Sequence, residues 1–159
     1  MKPQWSRTRT VTAFCLAAMS MFFAAGCAPA QATRTVQLLP GDLQWRSSPK
    51  LHSLQTATLI GDPARPGPYV QRIKLPPNHR LEPHSHPNSA RMVTVLSGTL
   101  YFGYGRTFDE AKLRAMTPGS FFTEPANMPH YARTGDQEVV LQLNADGPDG
   151  TTYVAQPKP

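Results

Sequence analysis

Downstream of Gln37 the apolar positions fall in short runs rich in Val, Ile, Tyr, Phe and Thr, cut at close intervals by Pro and Gly. Nowhere do they keep the 3.6-residue period of a packed helix. Residues 56–60, 69–75, 91–96, 99–104, 120–123 and 139–144 are predicted strands, with 152–154 as a late edge strand. Turns are predicted at Gly61-Asp62-Pro63, Pro76-Pro77-Asn78, Ser97-Gly98, Pro118-Gly119 and Gly147-Pro148. Pro118-Gly119 suits the two central positions of a type II turn. One short helix is predicted over 108–114. Many strands at regular spacing predict an all-β sandwich or barrel in one domain. Its expected bounds are 53–156, preceded by an arm over 33–52 that Trp45 anchors.

The first 32 residues follow a different pattern. Lys2, Arg7 and Arg9 precede an uncharged, mostly apolar run of fifteen residues, 11–25, and small residues follow. This is the layout of a secretory signal peptide, and the run is short of the roughly 20 residues a membrane span needs. Ala24-Ala25-Gly26-Cys27 is similar to a bacterial lipobox, with Ala where Leu is usual, and would make Cys27 a lipidated N-terminus. The chain is therefore expected in the periplasm or cell envelope, touching a membrane only through the leader or a lipid. Cys15 and Cys27 are the only cysteines among 159 residues, so the mature domain has neither thiol nor disulfide. Removing Lys2, Arg7 and Arg9 takes the net charge from +6 to +3. The remaining basic residues are scattered, which gives no footprint for nucleic acid.

Glu82-Pro83-His84-Ser85-His86 breaks the apolar pattern with two imidazoles at i and i+2. On an extended strand they share a face, with Cα atoms about 6.5 Å apart, close enough to turn toward one ion. Glu82 has the same parity. His130 sits in a second turn-bounded segment and completes a set of three. An isolated His-x-His is as readily a pair of solvent-facing strand residues. His79 lies in a proline-rich loop and is expected in solvent; His52 lies in the arm. Phe102, Phe121, Phe122, Met92 and Met128 are expected in packing, and one of Tyr101, Tyr104 and Tyr131 at a cavity mouth.

The two histidine segments together resemble the paired motifs of the cupins, which are small jelly-roll barrels. The first motif is Gly, five residues, His-x-His, three or four residues, Glu, six residues, Gly. Here Asn78 takes the first position, His84 and His86 follow at the right spacing, and Gly98 closes it. The second is Gly, five residues, Pro-x-Gly, two residues, His, three residues, Asn; Gly119, Pro125, Asn127, His130 and Thr134 stand in those positions. The stretch from Gly61 to Val154 also looks like small single-domain bacterial cupins, through Pro66-Gly67-Pro68-Tyr69-Val70 and Val93-Thr94-Val95-Leu96-Ser97-Gly98-Thr99. The resemblance implies a cupin-type jelly-roll β-barrel and a homodimer paired through sheet edges.

Two departures are conformational and one is chemical. Asn78 and Asn127 replace Gly, and Asn is the residue that best tolerates a left-handed backbone after Gly. The motif Glu is replaced by Ala90 or Arg91, neither of which binds a cation. Facing inward, Arg91 would repel a divalent ion or clamp an anion. Glu82 and Glu124 are the candidate replacement ligands, and Arg91 and Glu124 the candidate catalytic residues. His84, His86 and His130 with open positions can hold Fe, Mn, Zn, Ni or Cu. Binding needs neutral rings, so with a free pKa of about 6.5 metal affinity is expected to fall below about pH 6.

Three functions follow as expectations. The first is an exported metalloenzyme acting on a small organic molecule, with dioxygenase-type oxidation implied by the resemblance. The second is a non-catalytic module that binds or senses a metal or small ligand. The third is a degenerate, metal-free cupin. A fold reused this widely does not choose among them.

Overall fold

The computed structural model describes residues 35–48, 53–87 and 90–155. The leader, with Cys15 and the Cys27 lipobox, lies outside the described residues, as does His52. Eleven strands follow in chain order: β1 (Arg46–Ser47), β2 (Gln55–Ile60), β3 (Gly67–Leu75), β4 (Arg80–Ser85), β5 (Arg91–Ser97), β6 (Leu100–Tyr104), β7 (Arg114–Met116), β8 (Phe121–Glu124), β9 (His130–Thr134), β10 (Val139–Gly147) and β11 (Thr152–Tyr153). They form a six-stranded sheet ordered β1-β2-β3-β10-β5-β8 and a five-stranded sheet ordered β11-β4-β9-β6-β7. Every pairing is antiparallel. The fold is the cupin-type jelly-roll β-barrel.

Alternation builds the core. On β10, Val139, Leu141, Leu143 and Ala145 point inward while the intervening residues stay partly exposed. On β5, Arg91, Val93 and Val95 are buried, and Met92 and Leu96 face out. Leu100, Phe102 and Ala132 meet them from the other sheet. Each fully buried Val, Leu or Phe contributes about 1.5–3 kcal/mol, which is what fixes the register of both sheets.

Turn chemistry explains the sharp corners. Asn78 and Asn127 sit at φ +53° and +61°, in the left-handed region that their motif positions require. Gly98, at φ +71°, leaves no room for a side chain: an added Cβ would lie 2.3 Å from the Glu138 carbonyl oxygen. Gly119, at φ +87°, follows Pro118 in a turn closed by the Ser120 N–H donating to Thr117 C=O at 2.9 Å.

Several expectations change. The helix expected over 108–114 is one 3-10 turn, Glu110–Lys112, capped by the Asp109 carboxylate accepting from the Ala111 N–H at 3.0 Å. The chain then joins β6 as β7, because sheet pairing outweighs a weak helical preference over so few residues. Phe121, Met92 and Met128 face solvent, being 59%, 50% and 45% exposed, because each lies on the outer face of a strand or on a turn. Trp45 is half-buried under the Lys74 ammonium, 4.4 Å from its ring, beside the short edge strand β1.

Candidate metal centre

His84 ends the regular part of β4, His86 follows it by two residues, and His130 opens β9 directly opposite His84. One ring nitrogen from each lies within 4.8 Å of the others. All three residues are buried, His86 and His130 almost completely. A register shift between Leu81 and His84, centred on Pro83, sets the geometry. It turns Pro83 and His84 both inward and leaves Glu82 exposed, where its carboxylate pairs with Arg80 Nε at 2.7 Å. Glu82 is therefore not part of the cluster. The parity argument failed at a proline, where a strand commonly bulges.

Hydrogen bonds fix each imidazole. His84 Nδ1 faces Glu82 C=O at 2.7 Å, His86 Nδ1 faces Gly150 C=O at 2.7 Å, and His130 Nδ1 faces Met128 C=O at 3.0 Å. A carbonyl only accepts, so every Nδ1 carries the proton and every Nε2 presents a lone pair. Burial holds the rings neutral, pushing His84 and His130 down to about 4 and His86 to about 3, with Arg91 adding to the depression of His86. Burial therefore moves ring protonation, the competitor for a metal, below the free-histidine value from which the pH 6 limit was expected.

The charged residues come from the other sheet. Arg91 and Glu124 are direct cross-strand partners on β5 and β8, and both side chains turn into the barrel. Glu124 Oε2 is 3.4 Å from His86 Nε2, and Oε1 is 3.7 Å from His130 Nε2. With neutral rings these are not ion pairs; they are acceptors facing acceptors. Arg91 Nη1 donates to His86 Nε2 at 2.8 Å and lies 3.5 Å from Glu124 Oε2. Its Nη2 donates to both Asp149 oxygens, at 2.6 and 2.5 Å. Burial opposes the guanidinium charge, but Glu124 and Asp149 outweigh it and hold Arg91 above its usual pKa. Burial also raises the Glu124 carboxyl, partly offset by Arg91. His130 Nε2 and Arg91 Nε are buried with no partner.

Ala90 is exposed, so the motif Glu position in space belongs to Arg91. Counting seven residues back from Gly98 selects Arg91 in the sequence as well. Asp149 and Gly150, on the segment between β10 and β11, were not among the expected site residues; nothing in a Gly-Pro-Asp-Gly turn distinguishes them from an ordinary loop. Of the tyrosines, Tyr131 is fully buried and donates to Asp109 C=O at 3.3 Å. Tyr104 is exposed and donates to Thr123 C=O. The tyrosine beside the histidines is Tyr153, its ring 5.6 Å from that of His84. His79 is half-buried rather than free in solvent, and burial lowers its pKa.

The cluster lines a cavity of about 570 Å³. Leu54, Ile73, Leu75, Leu81, Leu100 and Phe102 form its apolar wall. Arg91, Glu124, Asp149 and the three histidines supply its charged and imidazole groups, and Gln71 and Thr56 are also among its polar lining. Such a cavity binds a small molecule by its body and orients it by one polar group.

Residues 71–144 match the family model of the cupin domain. Among curated proteins the chain is similar to a putative germin-like protein 9-2 of Oryza sativa subsp. japonica, 29% identical over 101 residues, covering 62% of this chain and 47% of that protein. The chain thus spans about half the length of that relative. Among solved structures it resembles the polyketide cyclase RemF from Streptomyces resistomycificus, with TM-score 0.64 and 18% identity over 79% of this chain and 89% of that one. It also resembles the DMSP lyase DddQ from Ruegeria pomeroyi DSS-3, with TM-score 0.57 and 20% identity over 71% and 61%. The matched model and the shared fold support the cupin superfamily.

Proposed function

We propose that this domain is a metal-dependent enzyme for a small, largely apolar organic molecule. The Nε2 atoms of His84, His86 and His130 are the ligands, and Glu124 takes over as the acidic donor from the neighbouring strand. One observation carries this reading. Three ring lone pairs, each aimed by a backbone carbonyl behind it, converge with a buried carboxylate in the lining of the cavity. Acceptors gathered in that way require a cation or a proton among them.

A bound transition metal would supply Lewis acidity toward a substrate oxygen, and redox chemistry with dioxygen if it were iron or copper. The chain's own residues do the rest. Leu81, Leu100 and Phe102 hold the apolar body and exclude water. Glu124, buried beside His86 and His130, would bring a negative charge to the bound ion. Arg91 is not free to clamp a substrate carboxylate, because Asp149 already engages it.

Elemental analysis of untagged protein tests the reading first. About one transition-metal ion per chain is expected, lost in His84→Ala and His130→Ala; an ion retained in both, or none in the native protein, overturns it. Oxygen uptake by the iron-loaded protein against a panel of small apolar substrates then tests oxidation. Arg91 gives the non-catalytic reading one observation in its favour, since a cation already donates into the cluster. Metal binding with no turnover of any substrate would select that reading. The leader extends the proposal to an exported protein, for which sequencing of the mature N-terminus is the test: a start at Met1 rules export out.

A further inference from the structure

The Arg91 guanidinium and a metal ion would want the same atom. A guanidinium has only donors, so at 2.8 Å His86 Nε2 must accept from Arg91 Nη1 with the lone pair that coordination would use. One lone pair serves one partner. A divalent ion at the cluster would also stand beside a buried positive charge, in surroundings that screen it poorly.

The surroundings of Arg91 show where it can go. Nη2 is held by both oxygens of Asp149, on the segment after β10. Nε is buried without a partner, and Nη1 meets Glu124 only at 3.5 Å. Its firm attachment therefore lies away from the cluster, and its contact with His86 is the one it can surrender. Glu124, facing both His86 Nε2 and His130 Nε2, is placed to accept whichever cation is there.

We propose that Arg91 is the resident cation of the metal-free site and an internal competitor for His86 Nε2, so that metal uptake exchanges a guanidinium for an ion and Arg91 sets the metal affinity. This rests on the three-histidine metal reading. Standing where the cupin motif has Glu, Arg91 supplies the reverse charge, and Glu124 restores the carboxylate from β8. Metal is held more weakly, and exchanges more readily, than it would be without the competitor. Asp149 works on the metal's side by giving Arg91 somewhere else to be.

The test measures Co(II) and Zn(II) dissociation constants by chelator competition, with Co(II) absorption reporting ligation, for the full chain and two variants. Arg91→Met should tighten binding by at least about tenfold, the scale of one charge-assisted hydrogen bond. Asp149→Asn should weaken it, because Arg91 is then left on the histidines. Opposite signs support the exchange; equal or weaker binding in Arg91→Met overturns it while leaving the metal reading intact. No binding in either the native protein or Arg91→Met overturns both. If Arg91→Met does not fold, side-chain ¹⁵N spectra of the native protein decide. Zn(II) should release Arg91 Nη1 from its hydrogen bond, and an Arg91 unmoved at full occupancy overturns the proposal.

Discussion

The two walls of the site are held in different ways. On the five-stranded side, His84 and His130 are each fixed by a carbonyl two residues earlier in the chain, Glu82 and Met128. That wall is neutral and locally determined. On the six-stranded side, Arg91 and Glu124 are fixed by cross-strand pairing and by Asp149, 58 residues beyond Arg91. That wall is charged and determined at long range. His86 belongs to both: it follows β4 but takes its orientation from Gly150, 64 residues away. Neutral groups bought cheaply by local geometry can wait for a ligand, whereas buried charges must be neutralised by the fold itself.

Acid should break this comparison most. The unfolded histidines titrate near 6.5 and the folded ones at about 4, 3 and 4. Between those values the unfolded chain binds more protons, so stability is full above about pH 6.5 and is lost as the pH falls toward 4. Each unit is worth about 1.4 kcal/mol per ring, and three rings together exceed any single substitution below. Glu124, raised by burial, opposes this in sign. Melting of the metal-free protein from pH 7 to 4 measures it. His130→Leu should flatten the dependence, and a flat profile in the native protein would mean that the rings are already wet.

The walls should next separate under substitution. Arg91→Met strands the buried Glu124 and the partly buried Asp149 without their cation and should cost about 3–5 kcal/mol in denaturant unfolding at pH 7. His130→Leu in the metal-free protein removes a neutral ring and orphans one carbonyl, at a cost within about 1–2 kcal/mol. Equal costs would show that the charged wall is solvated after all. A zinc-saturated sample should reverse the ranking in part, because only the histidine variant then loses the added stability of the bound ligand.

The same distinction governs what could be read from the sequence. Strands β2, β3, β5, β6, β8 and β10 were legible because their runs are rich in Val, Leu, Ile, Thr or aromatic residues, even where Ala57, Gln71, Arg91 or Glu124 stands inside. Strand β9 was not among the predicted strands, and β4 was read only through the extended segment around His84 and His86, because imidazoles and Pro83 stand where a core residue would alternate. The strands that carry the histidines are those whose pattern the site has replaced, whereas β5 and β8 kept theirs around Arg91 and Glu124. The histidines themselves were visible through motif spacing, and so were the two Asn turns. Asp149 and Gly150 were not, since their meaning depends on which strand they cross. Glu82 was misplaced because period-2 parity assumes an unbroken strand.

The smallest effect tests the join between the walls. Asn127 precedes His130 at φ +61°, its N–H donates to His86 C=O at 3.0 Å, and its side-chain amide donates to Pro87 C=O at 3.3 Å. It thus ties the loop after one pair of histidines to the turn before the third. Asn127→Gly keeps the left-handed backbone and the main-chain bond but loses the side-chain bond, so it should cost no more than about 1 kcal/mol. Asn127→Ala loses that bond and also places a Cβ in the left-handed region, adding about 1 kcal/mol. The difference between the two variants isolates backbone conformation from hydrogen bonding. If Asn127→Ala equals Asn127→Gly in thermal melts, the turn does not need its left-handed residue. The motif's glycine would then stand for something other than conformation. If both weaken zinc binding without lowering the melting temperature, the tie aligns the histidines and does not hold the fold, and the locally determined wall depends on long-range contacts after all.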